Sequence, residues 1–457
     1  MKLLGKSLLE LKKLLEDKEI SNKELRDYFL KRVRKYNPAL NSLITVSSEK
    51  AHPTGVPLAI KDNFCTKGIR TTASSKVLDN FIPPYESTVT QRLLNHGLSI
   101  LGKTNLDAWA HGSSTETSDY GPTKNPWDLS RVPGGSSGGS AAAVSAYISP
   151  AAIGSETAGS IRGPAAWCGV VGLKPTYSRV SRYGVIAMGS SLDCPGPLTQ
   201  NIEDAAYLLG IIAGKDLYDA TTSSLPAQNY LKELNLKNKL TIGVTDEYFE
   251  GVDAETKRMV DKSIAIFKKN GHKIKKIKLL SPQYAISVYT IIQRAEVSSN
   301  LGRYDGIRYG NARNYFADEA KRRVMLGTYT LSYGYYDAYY KKAQKVRTLI
   351  IEDFKNVFKD VDVIVAPTMP TSAFRLGEFE KYPFFGELMD VLAEPGAVSG
   401  IPAISIPIGL DAKNLPVGLQ IMGNYFNEQT ILSLAYQFEK ETNYFGVIKK
   451  GFANYKD

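Results

Sequence analysis

The sequence predicts a large α/β domain, built on a central twisted mixed β-sheet covered by helices on both faces, with a helical pair at the N-terminus. From about residue 56 onward, short apolar runs typical of buried strands alternate with amphipathic helical segments. The chain has 457 residues, 43% of them hydrophobic, which is enough to bury an extensive core. Its charged fraction of 23% and aromatic fraction of 10% exclude a globally disordered chain.

Residues 1–50 are predicted to form a helical region packed on the core. Ser7 and Glu10 form a capping box before a leucine-rich amphipathic run. Ser21 and Glu24 form a second capping box, and the helix that follows is predicted to end at Asn37-Pro38, because proline lacks the N–H group that a helix interior uses. Residues 51–457 are assigned to one continuous domain.

Six apolar runs within residues 51–457 predict buried strands. They are Leu58–Ile60, Leu98–Leu101, Leu240–Val244, Val363–Ala366, Ala403–Ile406 and Val417–Met422. Helices are predicted over Asp253–Asn270, which Gly271 ends, and over about Tyr335–Phe358. The tyrosine-rich segment Tyr333–Tyr340 is predicted to pack in the core, and the alternative is stacking with nucleic-acid bases.

Composition also restricts the location of the protein. No apolar stretch reaches the roughly 20 residues that a membrane span needs, so no membrane association is expected. The first 20 residues contain four acidic residues, which signal and transit peptides avoid. We therefore expect a cytoplasmic protein rather than one of the mitochondrial matrix.

Cysteine usage and charge restrict the chemistry. The three cysteines are odd in number and widely spaced, which excludes a disulfide scaffold. No set of cysteines and histidines has metal-ligand spacing, so no metal site is predicted. The net charge of +11 permits an acidic partner such as RNA, although a lysine-rich surface accounts for it without one.

The segment Pro133–Ser140 is rich in glycine and serine, which cannot pack a core but allow close approach of the backbone to a ligand. A helix is predicted to begin at Ala141, with its amide groups pointing into this segment. A phosphate-binding loop is one hypothesis, but its consensus strings are absent. A nucleophile elbow is another, because Gly134–Gly138 matches G-x-S-x-G, but it needs a downstream histidine and only His272 follows.

A third hypothesis is a serine activated by a lysine, which needs no histidine. Lys61 directly follows the predicted strand Leu58–Ile60, where burial lowers the pKa of an amine and makes it a usable base. Ser160 lies 24 residues after Ser136 and follows the strand-like run Ala151–Gly154. The same chain therefore offers two serines and one lysine for a proton relay.

These three segments, in this order, resemble the signature of the amidase signature family, and the match continues through Gly169–Pro175. The resemblance extends over nearly the whole chain and implies that residues 51–457 form one amidase-signature catalytic domain. Within the family, four further segments are most similar to the glutaminase subunits of tRNA-dependent amidotransferases. They are Thr71-Thr72, Ser178–Gly184, Lys321–Thr328 and Gly334–Tyr340.

The resemblance implies a role for each residue of the relay. Ser160 is the implied nucleophile, Ser136 the bridging serine, which follows a cis peptide bond in the family, and Lys61 the base. The implied oxyanion hole consists of the backbone N–H groups of Thr157, Ala158 and Gly159. Three residues depart from the family pattern, namely Glu156, Ala158 and Gly163, and the methyl group of Ala158 is expected to crowd the turn.

The resemblance also implies a glutamine pocket and partner proteins. Arg323 is implied to bind the α-carboxylate of free glutamine and Asp390 its α-ammonium group. The B and C subunits of a heterotrimer are the implied partners, and charged tRNA, either Glu-tRNA(Gln) or Asp-tRNA(Asn), is reached through a partner. No cofactor is expected in this chain, since the partner uses ATP and Mg²⁺. The alternatives are a stand-alone amidase of small or aryl amides and a catalytically impaired scaffold within the heterotrimer.

Overall fold

An eleven-stranded β-sheet organises the chain in the computed structural model, which describes residues 3–48, 54–307, 310–378, 388–449 and 455–456. Its strands are β1 (Leu43–Val46), β2 (Val56–Lys61), β3 (Leu98–Thr104), β4 (Ala151–Glu156), β5 (Val171–Lys174), β6 (Cys194–Thr199), β7 (Thr241–Val244), β8 (Lys273–Lys276), β9 (Val363–Pro367), β10 (Ala403–Leu410) and β11 (Pro416–Gly423). Their spatial order is β1-β3-β2-β4-β6-β5-β10-β11-β9-β7-β8. All six strands predicted from apolar runs are confirmed.

The sheet is mixed, as predicted. β2 pairs in parallel with β3 and β4, and β7 pairs in parallel with β8 and β9. The other ladders are antiparallel, including the long pairing of β10 with β11. Parallel pairing of β2 with β4 brings the carboxyl ends of these two strands to the same edge of the sheet, where the candidate site lies.

The described helices are α1 (Leu8–Glu16), α2 (Asn22–Leu40), α3 (Thr88–Asn95), α4 (Gly138–Ser145), α5 (Arg162–Cys168), α6 (Ile202–Ile212), α7 (Ala254–Lys269), α8 (Gln283–Leu301), α9 (Asp318–Leu331), α10 (Lys342–Val357), α11 (Glu394–Ser399), α12 (Glu428–Glu441) and α13 (Tyr444–Lys449). The predicted helix before Gly271 is confirmed as α7, which the Asp253 side chain caps. The predicted helix near Tyr335–Phe358 is a π-helical turn, Tyr336–Lys341, that continues into α10. None of the helices in the described ranges combines the length and hydrophobicity of a membrane span.

Helices cover both faces of the sheet. Successive residues of a strand point to opposite faces, so neighbouring residues of β9 belong to different apolar clusters. In β9, Val363 and Val365 belong to an apolar cluster that also contains buried residues of α2, α6 and α12. Their neighbours Ile364 and Ala366 belong to a second cluster, with buried residues of α8, α9 and α10. A third, smaller apolar cluster contains Trp167 and Phe374.

Both predicted capping boxes at the N-terminus are present. The predicted end of the second helix is wrong, because α2 continues through Pro38 to Leu40 and ends with Asn41 in the left-handed region. Pro38 lies in the last turn, and the helix ends two residues after it. The predicted domain boundary at residues 50 and 51 lies outside the described residues and stays a prediction.

Two further predictions need correction. The helix after the glycine-serine segment begins at Gly138 rather than at Ala141, because glycines there can take helical angles as readily as loop angles. The segment Tyr333–Tyr340 is not in the core, since Tyr333 is fully exposed and its neighbours Tyr335, Tyr336 and Tyr339 are also exposed. Only Tyr340 packs in part against the apolar core.

Candidate active site

Lys61, Ser136 and Ser160 come from three segments that meet at the carboxyl ends of β2 and β4. Lys61 is the last residue of β2, and Ser160 lies in the turn between β4 and α5. Ser136 lies just before α4, which packs against both strands. The fold therefore brings together three residues that span a hundred positions of the sequence.

The Lys61 ammonium group lies in the interior of the protein. Its Nζ donates to Ser136 Oγ at 2.7 Å and to the Ser155 carbonyl at 3.0 Å, and the side chain is 0% exposed. Burial lowers the pKa of Lys61 to about 7, although the carboxyl groups of Asp107, Asp193 and Glu156 act in the opposite direction. Near neutral pH a large share of Lys61 is therefore uncharged and able to accept a proton.

Glycines in the first turn of α4 and in the loop before it allow this segment to lie directly against neighbouring residues. A Cβ on Gly139 would lie 2.4 Å from the Asn105 carbonyl oxygen, and one on Gly135 would lie 2.1 Å from Asp107 Oδ2. The peptide bond between Gly135 and Ser136 is cis. The next residue, Ser137, donates its N–H to the Ser160 carbonyl at 3.1 Å, which joins the loop directly to the turn that carries Ser160.

A buried ion pair holds the turn that carries Ser160. Glu156 accepts hydrogen bonds from the backbone N–H groups of Ile161 and Arg162, and its other oxygen contacts the Arg162 guanidinium at 2.5 and 2.9 Å. Arg162 also donates to the carbonyl of Ala158 at 3.0 Å. Both side chains are fully buried. Together Glu156, which departs from the family pattern, and Arg162 thus support the backbone on each side of Ser160.

The three residues of the predicted oxyanion hole occupy this same turn. The Thr157 hydroxyl donates to Asp193 Oδ1 at 2.7 Å, and this contact directs its side chain toward the residue that precedes β6. Ala158 is buried and does not have a positive φ, so alanine needs no backbone conformation reserved for glycine. The role of the three N–H groups in binding an oxyanion stays a prediction.

Asp390 lies directly against the turn that carries Ser160. A Cβ on Gly159 would lie 2.4 Å from Asp390 Oδ1, so glycine at position 159 is required by the close approach of this carboxylate. Ser113 Oγ donates to the other oxygen of Asp390 at 2.5 Å. The side chain is 4% exposed, which places a buried carboxyl group beside the predicted nucleophile.

Arg323 lies on the inner side of α9, where it is 5% exposed and its Nε donates to Glu319 at 2.5 Å. Its positive charge helps to lower the pKa of His111, together with burial, which is the larger cause. His111 begins the loop His111–Ser113, whose last residue contacts Asp390. Both residues predicted to bind glutamine, Arg323 and Asp390, are therefore buried side chains.

Comparison with known proteins identifies the family of the chain. The amidase family model matches residues 24–432 of the chain. The chain belongs to the amidase family. Among curated amidase-family relatives, it is similar to the A subunit of glutamyl-tRNA(Gln) amidotransferase from Caldanaerobacter subterraneus subsp. tengcongensis, with 50% identity over 96% of this chain and 97% of the relative. The corresponding protein of Halothermothrix orenii is 48% identical over 97% of this chain and 98% of its own.

Solved amidase-family structures share the fold. The A subunit of glutamyl-tRNA(Gln) amidotransferase from Thermotoga maritima superimposes with a TM-score of 0.85 and 40% identity, over 96% of this chain and 95% of that chain. A 6-aminohexanoate cyclic dimer hydrolase superimposes with a TM-score of 0.89 and 26% identity, over 98% of this chain and 99% of that chain. The predicted amidase-signature α/β fold is thus confirmed.

Several residues around the site were not identified from the sequence. Arg162 and Ser113 act through contacts with Glu156 and Asp390, and nothing in their local sequence indicates those contacts. His111 is 1% exposed, and its two ring nitrogens have no hydrogen-bond partner among the described residues. The sequence feature that could have drawn attention to His111 and Ser113 is the string His111-Gly112-Ser113-Ser114, in which small residues follow a histidine.

Proposed function

We propose that this amidase is the glutaminase component of a tRNA-dependent amidotransferase. The observation that carries the proposal is the buried contact of Lys61 Nζ with Ser136 Oγ, beside the turn that holds Ser160. Full-length similarity to proteins named as the A subunit of glutamyl-tRNA(Gln) amidotransferase supports the choice of glutamine as the amide.

The proposed reaction begins when neutral Lys61 takes a proton from Ser136 as Ser136 takes one from Ser160. Ser160 Oγ attacks the side-chain carboxamide carbon of glutamine, and backbone N–H groups of the turn stabilise the oxyanion. The C–N bond then breaks, the nitrogen takes a proton back through the relay, and ammonia leaves. Water attacks the acyl-enzyme by the same relay and releases glutamate.

The proposed pocket contains one group for each end of glutamine. The guanidinium of Arg323 can donate two parallel hydrogen bonds to the α-carboxylate, and the carboxylate of Asp390 can accept hydrogen bonds from the α-ammonium group. Asp390 already lies against Gly159, next to the nucleophile. The partner subunits are proposed to bind charged tRNA, use ATP with Mg²⁺ and consume the ammonia.

The relay is tested by measuring glutamate release from glutamine. Ser160→Ala is expected to abolish turnover, and Lys61→Ala and Ser136→Ala to lower kcat by several orders of magnitude with little further loss when combined, because the three residues act as a unit. Ser145→Ala, a buried serine of α4 outside the relay, is the matched control and is expected to keep activity. Normal turnover in a folded Ser160→Ala protein would overturn the assignment.

The choice of glutamine is tested with a second substrate. Arg323→Ala is expected to raise the KM for glutamine strongly while slow hydrolysis of an aryl amide that lacks the α-groups persists, since binding energy is lost but the relay survives. If wild-type protein hydrolyses the aryl amide faster than glutamine, alone and with partner subunits, and Arg323→Ala changes neither rate, a stand-alone amidase is the correct function.

A further inference from the structure

An exposed aromatic surface lies on α9 and the π-helical turn that follows it. We call it the tyrosine face, and it consists of Met325, Leu326, Tyr329, Leu331, Tyr333, Tyr335, Tyr336 and Tyr339. Tyr333 is 102% exposed and Met325 71% exposed. Among the described residues nine tyrosines are exposed, and five of them fall within the eleven positions 329–339. Exposure of single apolar residues is normal, but such a cluster marks an interaction surface.

The tyrosines of the face are ordered against one another. The ring centroids of Tyr329 and Tyr335 lie 4.2 Å apart, and the rings of Tyr335 and Tyr339 stack at 5.9 Å with an interplanar angle of 23°. Tyr336 stacks on the partly buried Tyr340 at 5.3 Å, again with an angle of 23°. A partner that binds this surface therefore meets rings whose conformational freedom is already restricted, which lowers the entropic cost of binding.

The face shares helix α9 with Arg323, the residue proposed to bind the α-carboxylate of glutamine. Met325 follows Arg323 by two positions in α9, a rotation of about 200° around a helix, so the two side chains point to opposite sides. Arg323 is buried, and Met325 is exposed in the face. One helix, about 10 Å in diameter, thus separates the proposed glutamine pocket from the tyrosine face.

Charge favours an acidic partner surface. Residues 318–345 contain six basic and three acidic side chains, and all three acidic residues form ion pairs with basic residues of the same segment. The exposed residues Lys342 and Lys345 follow the face directly, and Lys341 Nζ lies 5.4 Å from the centroid of the Tyr336 ring. A cluster of tyrosines with a basic rim is typical of the anchors of protein–protein interfaces.

We propose that the tyrosine face is the docking surface for the ammonia-consuming partner, through an acidic and apolar surface of that protein. The inference rests on the proposed function, because a glutaminase that supplies ammonia needs its acceptor close to the site of release. Ammonia that escapes into water is protonated and is no longer a nucleophile. A partner bound one helix away from Arg323 shortens the distance over which that loss occurs.

The test is the affinity between this chain and the partner subunits of its own genome, co-expressed and purified, by titration calorimetry. Met325→Glu with Tyr333→Ser is expected to weaken binding at least tenfold, because it places a charge in the interface and removes an aromatic anchor. Both side chains are exposed, so thermal unfolding and glutamine hydrolysis by the isolated chain are expected to match wild type. Tyr218→Ser, at a 75% exposed tyrosine outside the face, is the matched control.

The outcomes separate this inference from the proposed function. If wild-type chain binds the partner and the double variant binds it equally well, the docking inference is overturned while the proposed function stands. If the double variant keeps partner affinity but loses affinity for charged tRNA, the face binds nucleic acid, and the inference is also overturned. If wild-type chain neither hydrolyses glutamine nor binds the partner, the proposed function itself fails.

Discussion

At the scale of single residues, burial accounts for the reactivity of the site. An exposed lysine is protonated near neutral pH, but Lys61 is surrounded by protein and donates only to Ser136 and the Ser155 carbonyl among the described contacts. Burial penalises the charged form of any amine. The same fold that hides Lys61 from water therefore makes it a base for Ser136.

The pH dependence of glutamine hydrolysis follows from the pKa of Lys61, which burial lowers from 10.5 to about 7. Below pH 7 the amine carries a proton and cannot act as base, so kcat/KM is expected to fall about tenfold for each pH unit. Above pH 7 the value of kcat/KM is expected to level off, because most of Lys61 is then uncharged. The measurement is a pH profile of kcat/KM from acidic to mildly alkaline buffer, with circular dichroism as the control for folding. A rising limb centred near the ordinary lysine pKa of 10.5 would show that Lys61 is not the base.

At the scale of elements, the turn between β4 and α5 depends on the buried pair of Glu156 and Arg162. The pair bonds the backbone at Ala158, Ile161 and Arg162, so it stabilises the residues on both sides of Ser160. Arg162 also donates to Gln420 of β11 at 2.6 Å, which connects the turn to a strand on the other side of the sheet centre. The position of the nucleophile is therefore set by charge-assisted hydrogen bonds.

Removing the carboxylate of Glu156 is expected to be costly, because it leaves the Arg162 charge buried without its anion. Glu156→Ala is expected to lower the free energy of unfolding by about 3–5 kcal/mol. Glu156→Asp keeps the charge and is expected to lose less stability and retain glutaminase activity. The measurement is urea unfolding of the three proteins, with glutamate release as a second readout. Equal stability of wild type and Glu156→Ala would contradict the supporting role of the pair.

At the scale of the whole molecule, the structure separates the relay from the proposed docking surface. The relay lies at the carboxyl ends of β2 and β4, whereas the tyrosine face lies on the outer side of α9. A change at one place is not expected to disturb the other, since no described residue belongs to both. The protein can therefore lose catalysis and still assemble with its proposed partners.

This separation predicts that free ammonia replaces the missing activity. A complex that contains Ser160→Ala is expected to form normally, to fail with glutamine and to amidate charged tRNA when ammonium chloride is supplied in mildly alkaline buffer, where more of it is present as ammonia. The measurement is the fraction of amidated aminoacyl-tRNA with each nitrogen source. If ammonium chloride does not restore the product in an intact complex, Ser160 contributes to something other than glutamine hydrolysis.

The amino-acid sequence determined the features that depend on local strings. The capping boxes of α1 and α2, the six apolar strands and the segments that carry Lys61, Ser136 and Ser160 were all recognisable from neighbouring residues. Strand β6 was not, because Pro195 and Pro197 argue against a strand with partners on both sides, and only its position between β4 and β5 reveals it.

Only the tertiary structure decided contacts between distant residues and exposure to solvent. Asp390 and Gly159 are far apart in the sequence, and their contact depends on how α11 and its preceding loop pack beside the turn after β4. The tyrosines of the segment Tyr333–Tyr340 look like core residues in the sequence, because large aromatic side chains are on average well buried. Whether they are covered depends on which neighbours the fold supplies, and here it leaves most of them exposed.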